Sequence, residues 1–209
     1  MAELENSDQI MPKVIAFLSS LLQRVSESND LNRPLETQTI SVFHGLTRPT
    51  ISIQSYLERI FKYAHCSPSC FIVAYVYLDR FVQRQPLLPI NSFNVHRLLI
   101  TSVLISAKFM DDMYYNNAYY AKVGGISTKE MNLLEVELLF GLGFHLNVTP
   151  TTFHTYSSFL QTHIFLRSPP LQLLVSSSSS SAVDIIGRTQ KLHCCFNEED
   201  DSHQKQLAV

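Results

Sequence analysis

Glycine is scarce in this chain, and the sequence carries none of the short patterns that usually mark a catalytic site. There are 6 glycines among 209 residues, which leaves little backbone that could wrap around a nucleotide. No Gly-rich loop ends in a Lys-Ser or Lys-Thr pair, and neither a Gly-x-Ser-x-Gly turn nor a His-Glu-x-x-His helix is present. We therefore expect no catalytic residues, no cofactor and no small-molecule substrate.

Cysteine is also rare, with four residues at positions 66, 70, 194 and 195. The first two are four residues apart and the last two are adjacent, and neither spacing is typical of a disulfide framework or of a complete zinc site. We favour a reduced intracellular protein without a metal ion. A metal site built from His65, Cys66 and Cys70 is the alternative, although small buried thiols are common in helices.

The chain has no large excess of either charge. Its 16 basic and 18 acidic residues give a formal net charge of −2, which does not suggest the broad basic face of a nucleic-acid binder. The first residues are acidic, so no signal peptide is expected. Residues 138–166 lack Asp, Glu, Lys and Arg, but three histidines and Pro150 make them a poor membrane span. These features predict a soluble protein of the nucleus, the cytoplasm or both, with neither a nucleic-acid nor a membrane partner.

Apolar residues recur at spacings of three and four along most of the chain, which is the pattern of helices packed on a core. The predicted helices span about residues 12–25, 52–65, 68–83, 92–110, 127–142 and 151–166, with a short additional helix within 111–121. The helices at 68–83 and 92–110 are apolar on most sides. We therefore expect these two to lie at the centre of an all-α fold.

Local signals indicate where several elements begin and end. Ser67-Pro68 predicts a helix start with proline at the first helical position, and the run from Ser127 to Glu130 matches a capping box. Residues 167–209 include six consecutive serines, from Ser176 to Ser181. We expect this segment to be a mostly disordered tail, and a phosphorylated tail is the alternative.

Two charged residues interrupt otherwise apolar helix faces. At about 100° per residue, Glu135 falls in the middle of a face formed by Met131, Leu134, Leu138, Leu139 and Leu142. A carboxylate in such a place needs a partner, because burying it unpaired costs several kcal/mol. Lys108 is likewise a charged residue at the end of a long helix that is otherwise apolar. Two interpretations of Lys108 stay open: a pair with Glu135, or a lysine that compensates the helix dipole and extends to water.

These residues resemble a cyclin box. The run from Tyr77 to Phe81 (Tyr-Leu-Asp-Arg-Phe) is similar to the signature of the second helix of that box, and Ile105 to Phe109 is similar to the end of its third helix. Leu134-Glu135 is similar to the fifth helix, and the later Phe144-His145-Leu146 is similar to the segment after that helix. In that family the lysine and glutamate matching Lys108 and Glu135 pair at the kinase-facing edge, so the resemblance implies a role in kinase binding.

More locally, the runs from Ile51 to Ile60 and from Tyr119 to Ile126 resemble plant P-type cyclins, also called U-type, which in turn resemble the phosphate-starvation cyclin of budding yeast. The implied fold is a single five-helix cyclin box over residues 50–148. An N-terminal helix and polar linker (1–49) precede it, and a packed C-terminal helix (149–166) follows. No second box fits after residue 166.

One segment departs from the pattern of cell-cycle cyclins. Thr50-Ile51-Ser52-Ile53-Gln54 stands where those proteins have a Met-Arg-Ala-Ile-Leu docking helix, so substrate docking through an Arg-x-Leu motif is not implied. The same change removes the arginine that usually pairs with the aspartate matching Asp79. Arg59 is the candidate replacement, and Asp79, Arg80 and Arg59 are treated as structural signature residues.

The resemblance implies a regulatory subunit that binds and activates a cyclin-dependent protein kinase as a heterodimer, in cell division or in phosphate signalling. The kinase-binding residues expected besides Lys108 and Glu135 are Phe109, Tyr114 and Tyr115. Tyrosine is favoured at interfaces, but an ordinary aromatic loop explains the tyrosines from 114 to 120 equally well. The N-terminal helix is expected to pack on the box. The main alternative function is a cyclin-box module that binds transcription or scaffold proteins without activating a kinase.

Overall fold

The computed structural model describes residues 2–32 and 39–167, with side chains described from 10 to 32 and from 39 to 164. In these ranges the chain has seven helices and no strand: α1 Ala2–Asn32, α2 Ile53–Tyr63, α3 Ser69–Arg84, α4 Val95–Met110, α5 Asn117–Gly124, α6 Thr128–Gly141 and α7 Pro150–Arg167. The all-α prediction is confirmed, and α2 to α6 are the five helices within the predicted box of residues 50–148. None of the described helices is both long and apolar enough to cross a bilayer. The predicted Ser-rich tail lies outside the described residues from position 168 onward.

The centre of the fold is α3 packed against α4. Both are buried on most sides, as their sequences predict, and their largest fully buried side chains include Tyr77, Phe81, Leu98, Ile100 and Leu104. Three hydroxyls on α4 are buried as well, at Thr101, Ser102 and Ser106. Each donates to a carbonyl of its own helix at 2.7 to 2.9 Å, so none of them is an unsatisfied donor in the core.

The N-terminal helix is longer than predicted. It begins at Ala2, and Pro12, which predicted its start, lies inside it. A proline ring removes one backbone hydrogen bond and is best tolerated in the first turn, which is why the sequence suggests too late a start. The predicted apolar stripe is buried, including Phe17 and Leu21. Because α1 packs on α2 and α7, with Phe17 stacked on His163 at 5.6 Å, the prediction that this helix packs on the box is confirmed.

The turn between α5 and α6 shows one predicted cap and one correction. Gly125 has φ of 72°, and its N–H closes the end of α5. Ser127 accepts a hydrogen bond from the backbone of Glu130 at 3.1 Å, as expected for a capping box. However, Arg97 of α4 forms an ion pair with the Glu130 carboxylate, with Nε of Arg97 2.6 Å from Oε1 of Glu130. The predicted capping box is therefore only half formed. The Glu130 carboxylate forms an ion pair with Arg97 of α4 in place of the expected hydrogen bond to the backbone N–H of Ser127.

The polar segment before α2 is fastened to the loop between α3 and α4. Gly45 donates its backbone N–H to the carbonyl of Phe93 at 2.8 Å, and Phe43 is buried edge-on against Phe81. His44 lies with Nε2 3.1 Å from Nδ2 of Asn91. Burial lowers the pKa of His44, which favours the neutral ring at this half-buried position.

Candidate partner-binding site at the end of α4

The packing of α4 on α6 brings Lys108 and Glu135 together. Lys108 lies in the last turn of α4 and Glu135 in the middle of α6, and Nζ is 2.6 Å from Oε1. The two side chains keep 30% and 15% of their surface exposed, so the pair lies at the edge of the core. Removing one partner at such a place leaves a charge with incomplete solvation. Of the two interpretations of Lys108, the structure contains the pair.

A third residue, which the sequence does not single out, orients Glu135. Asn117, the first residue of α5, donates from Nδ2 to Oε2 of Glu135 at 2.7 Å and to Oδ1 of Asn132 at 2.7 Å. An amide nitrogen carries two hydrogens, so both bonds can form. Both carboxylate oxygens of Glu135 therefore have donors, and its orientation is fixed. The sequence signal for Asn117 is weak, because the preceding Asn116 accounts for the cap of α5.

Besides Met113, which is 86% exposed, four large side chains that closely follow Lys108 in the chain remain exposed. Phe109 and Met110 end α4, Tyr114 and Tyr115 lie in the loop before α5, and the exposed fractions are 48%, 42%, 54% and 47%. These four residues are termed the α4-end patch. Aromatic residues and methionine are enriched at protein interfaces, and a charged pair beside such a patch loses its remaining water when a partner covers it.

The tyrosines between 114 and 120 divide into two groups. Tyr115 and Tyr119 stack with ring centroids 4.1 Å apart. Tyr119 also donates its hydroxyl to the carbonyl of Tyr63 at 2.7 Å, and Tyr120 is fully buried. Tyr119 and Tyr120 thus belong to the packing of α5 on its neighbours, whereas Tyr114 and Tyr115 keep about half of their surface exposed.

Asp79 is buried, and its hydrogen-bond partner on another helix is Tyr156 of α7, not Arg59. Its Oδ2 accepts hydrogen bonds from the hydroxyl of Tyr156 and from Nε2 of Gln83, while Arg59 donates to a carbonyl of α5 at 3.1 Å. The expectation that Arg59 pairs with Asp79 is therefore wrong, and a tyrosine of α7 supplies the contact. Burial raises the pKa of Asp79 to about 6, although the Tyr156 hydrogen bond and the nearby Arg80 hold it lower than burial alone would.

Arg80 fastens the loop that follows α6. Its Nη1 donates to the carbonyls of His145 and Asn147, both at 2.9 Å. The hydroxyl of Tyr77 donates to the carbonyl of Leu146, between those two residues, at 2.8 Å. Inside this loop Phe144 has φ of 59°, a conformation that bulky residues rarely adopt, and it is 57% exposed. Such strain persists where the surroundings enforce it. The loop therefore presents Phe144 as a fixed apolar group.

The alternative metal site near the cysteines is not assembled. Cys70 points its Sγ at Oδ2 of Asp111, at 3.4 Å, and the same oxygen accepts the backbone N–H of Ser67 at 2.8 Å. The ring of His65 lies beside Tyr115 instead. Across the part of the chain that the structure describes, no three His, Cys, Asp or Glu side chains converge as metal ligands would. Asp111 instead ties the end of α4 to the start of α3.

Known proteins match this chain over most of its length. A family model described as Cyclin matches residues 8–146. Cyclin-U4-1 of Arabidopsis thaliana is 67% identical over 208 residues, which cover 99% of the chain and 96% of that protein. Cyclin-U4-3 of the same plant is 57% identical over 205 residues, covering 96% and 91%. Cyclin-P4-1 of Oryza sativa subsp. japonica is 53% identical over 200 residues, covering 93% and 87%.

Proposed function

The chain belongs to the cyclin family, and from that membership we propose that it binds and activates a cyclin-dependent protein kinase as its regulatory subunit. The similar plant proteins are U-type and P-type cyclins, which confirms the subgroup that the sequence resembles. The observation that carries the proposal is the Lys108–Glu135 ion pair next to the exposed α4-end patch.

The proposed mechanism is a shift between kinase conformations. A protein that binds the active form of a kinase more tightly than the inactive form raises the population of the active form. Converting a mostly inactive kinase into a mostly active one requires a preference of about 5 kcal/mol. The ion pair is preorganised, since Lys108 and Asn117 together engage both oxygens of Glu135, and preorganised groups lose little freedom on binding. The apolar α4-end patch supplies further contact area.

In this proposal the chain contributes no catalytic group, and the phosphoryl transfer belongs entirely to the kinase. The output is cell division or phosphate signalling, and such a partner implies an intracellular location. The missing Met-Arg-Ala-Ile-Leu segment at residues 50–54 means that substrates are selected without the Arg-x-Leu docking of cell-cycle cyclins.

The test is capture of a kinase on the tagged full-length chain from a plant cell extract, followed by reconstitution from purified proteins. We expect a cyclin-dependent kinase in the bound fraction and at least a tenfold rise in its peptide-phosphorylating activity when the chain is added. A kinase that binds without gaining activity would favour the alternative, an interaction module. Absence of any such kinase from the bound fraction would contradict the proposal.

A further inference from the structure

Two cysteines that the proposed kinase-binding site does not use meet at the start of α3. Cys66 lies in the loop between α2 and α3 and is partly exposed, whereas Cys70 lies in the first turn of α3 and is buried. Both are free thiols, and their side chains are hydrogen-bonded to each other. Two cysteines in direct contact can be joined by a disulfide bond where the backbone brings them close enough.

The backbone between the two cysteines is already folded into a tight turn. Cys70 donates its N–H to the carbonyl of Ser67 at 3.0 Å. Just before the turn, His65 has φ of 48°, a left-handed conformation that few residues with a side chain adopt. Cys66 itself lies outside both helices, so its side chain can rotate toward Cys70 without unwinding α3. The local fold therefore allows a bond between the two sulfur atoms.

Two further groups surround the thiols. Oδ2 of Asp111 accepts a hydrogen bond from Sγ of Cys70 at 3.4 Å, and Oγ of Ser67 lies 3.3 Å from the same sulfur. Tyr120 is fully buried, and its hydroxyl contacts Cys66 and has no other hydrogen-bond partner among the described residues. Burial raises the pKa of Tyr120, so the hydroxyl keeps its proton and can donate it to a negatively charged sulfur.

Within the pair, the buried thiol is the more acidic one. The hydrogen bond from Cys66 lowers the pKa of Cys70, against the effects of burial and of the nearby Asp111. The same hydrogen bond, together with burial, raises the pKa of Cys66. The thiolate is the nucleophilic form of cysteine. The pair therefore loses one proton more readily than an isolated thiol does, and the two sulfur atoms share the proton that remains.

We propose that Cys66 and Cys70 form a modification site at which a small-molecule disulfide of the oxidised-glutathione class produces a reversible Cys66–Cys70 disulfide. Cys66 reacts first because it is the exposed member. With the shared proton on Cys70, the Cys66 thiolate attacks one sulfur of the reagent, forms a mixed disulfide and releases one thiolate. That thiolate takes the proton of Cys70.

The second step closes the bond. The Cys70 sulfur attacks the Cys66 sulfur of the mixed disulfide and releases the second half of the reagent as a thiolate, which takes a proton from water. The two cysteines together lose two electrons, and the reagent is reduced to two thiols. An excess of a reducing thiol reverses both steps.

The disulfide also removes a hydrogen bond at the end of α4. Sγ of Cys70 carries no hydrogen once it is oxidised, so it no longer donates to Asp111. The bond from the backbone N–H of Ser67 to the same carboxylate, at 2.8 Å, is kept. Because Asp111 directly follows α4, oxidation weakens the tie between the end of α4 and the start of α3.

The test is peptide mapping of the full-length chain. Trypsin cuts after lysine and arginine, so Cys66 and Cys70 fall in one peptide, residues 63–80, while the cysteines at 194 and 195 fall in another. The reduced chain is treated with oxidised glutathione, the remaining thiols are blocked with iodoacetamide, and the peptides are weighed. We expect peptide 63–80 to lose two hydrogens, to escape the blocking reagent and to regain both thiols in dithiothreitol.

Two variants separate the two steps. Cys70→Ser keeps a hydroxyl that can donate to Asp111 but has no sulfur to displace glutathione, so the glutathione adduct of Cys66 should be at least about tenfold more abundant than in the unaltered chain. Cys66→Ser removes the exposed thiol, and the buried Cys70 should then take up at least about tenfold less glutathione. Thermal melting of both variants checks the fold. Cys194→Ser/Cys195→Ser is the matched control and should leave the disulfide in peptide 63–80 unchanged.

Three results would overturn the proposal. In the first, both thiols of peptide 63–80 remain open to iodoacetamide after treatment of the folded chain. In the second, Cys66 carries a lasting glutathione adduct in the unaltered chain with no internal disulfide. In the third, Cys66 or Cys70 is joined to a cysteine at 194 or 195 instead. None of these results depends on kinase binding, so the proposed function is tested separately.

Discussion

Replacing Asp79 by Asn tests the energetic role of the buried carboxyl between α3 and α7. In the folded chain the pKa of Asp79 is raised from 3.8 to about 6, chiefly by burial. At a pH between these two pKa values, Asp79 of the folded protein keeps a proton that the unfolded chain has released. The stabilising effect of that proton is therefore complete below about pH 4 and is lost as pH rises through about 6.

The size of the effect follows from the shift. One pKa unit corresponds to about 1.4 kcal/mol, so a shift of about two units removes about 3 kcal/mol of unfolding free energy between pH 4 and pH 7. In Asp79→Asn the amide oxygen can still accept from Tyr156 and Gln83, which bond to Oδ2 of the carboxyl, but the titration is gone. The advantage of the variant over the unaltered chain should therefore grow by about 3 kcal/mol over that range.

The assay is urea unfolding followed by circular dichroism at several pH values from 4 to 8, with the difference between the two chains taken at each pH. Taking the difference cancels titrations elsewhere in the molecule. Tyr156→Phe is the companion variant. Because the Tyr156 hydrogen bond lowers the pKa of Asp79, its loss should move the transition to higher pH. A difference that stays constant over this pH range, or that shrinks as pH rises, would refute the reasoning.

Two further predictions concern the site and its support. Asn117→Ala leaves Oε2 of Glu135 without its amide donor and should weaken kinase binding about tenfold, measured by calorimetry; an affinity equal to that of the unaltered chain would contradict the orienting role. Gly141→Ala places a methyl group 2.3 Å from Phe81 and should lower the unfolding free energy by about 1–3 kcal/mol, measured by urea unfolding. Glu137→Ala, an exposed change on the same helix, is its control, and equal stability of the two variants would argue against close α6–α3 packing.

The central helices could be predicted from the sequence because their environment is nearly uniform. Residues buried on all sides leave a long apolar run, and α3 and α4 lie within three residues of their predicted ends. The start of α1 could not be predicted, since Pro12 is a helix-start signal that packing overrides. Periodicity also located Glu135 as a charge on an apolar face, because that argument needs only the residues of one helix.

The contacts that complete the site depend on residues far apart in the chain. Tyr156 reaches Asp79 across 77 positions, and Asn117 reaches Glu135 across 18. Before the helices are assembled, both look like ordinary polar residues of a helix or its cap. The exposed side of α6, with Leu133, Val136 and Phe140, could not be predicted for a related reason: both sides of the helix are apolar, and a helical wheel does not show which side the rest of the fold covers.

The most direct measurement of the central claim is the kinase affinity of the double variant Lys108→Ala/Glu135→Ala. Its matched control is Glu58→Ala/Lys122→Ala, which removes two exposed charges on α2 and α5. If the ion pair is the core of the kinase-binding surface, the first variant keeps its fold and loses about 2–5 kcal/mol of binding free energy, while the control binds normally. A folded Lys108→Ala/Glu135→Ala variant with undiminished kinase affinity would contradict the claim.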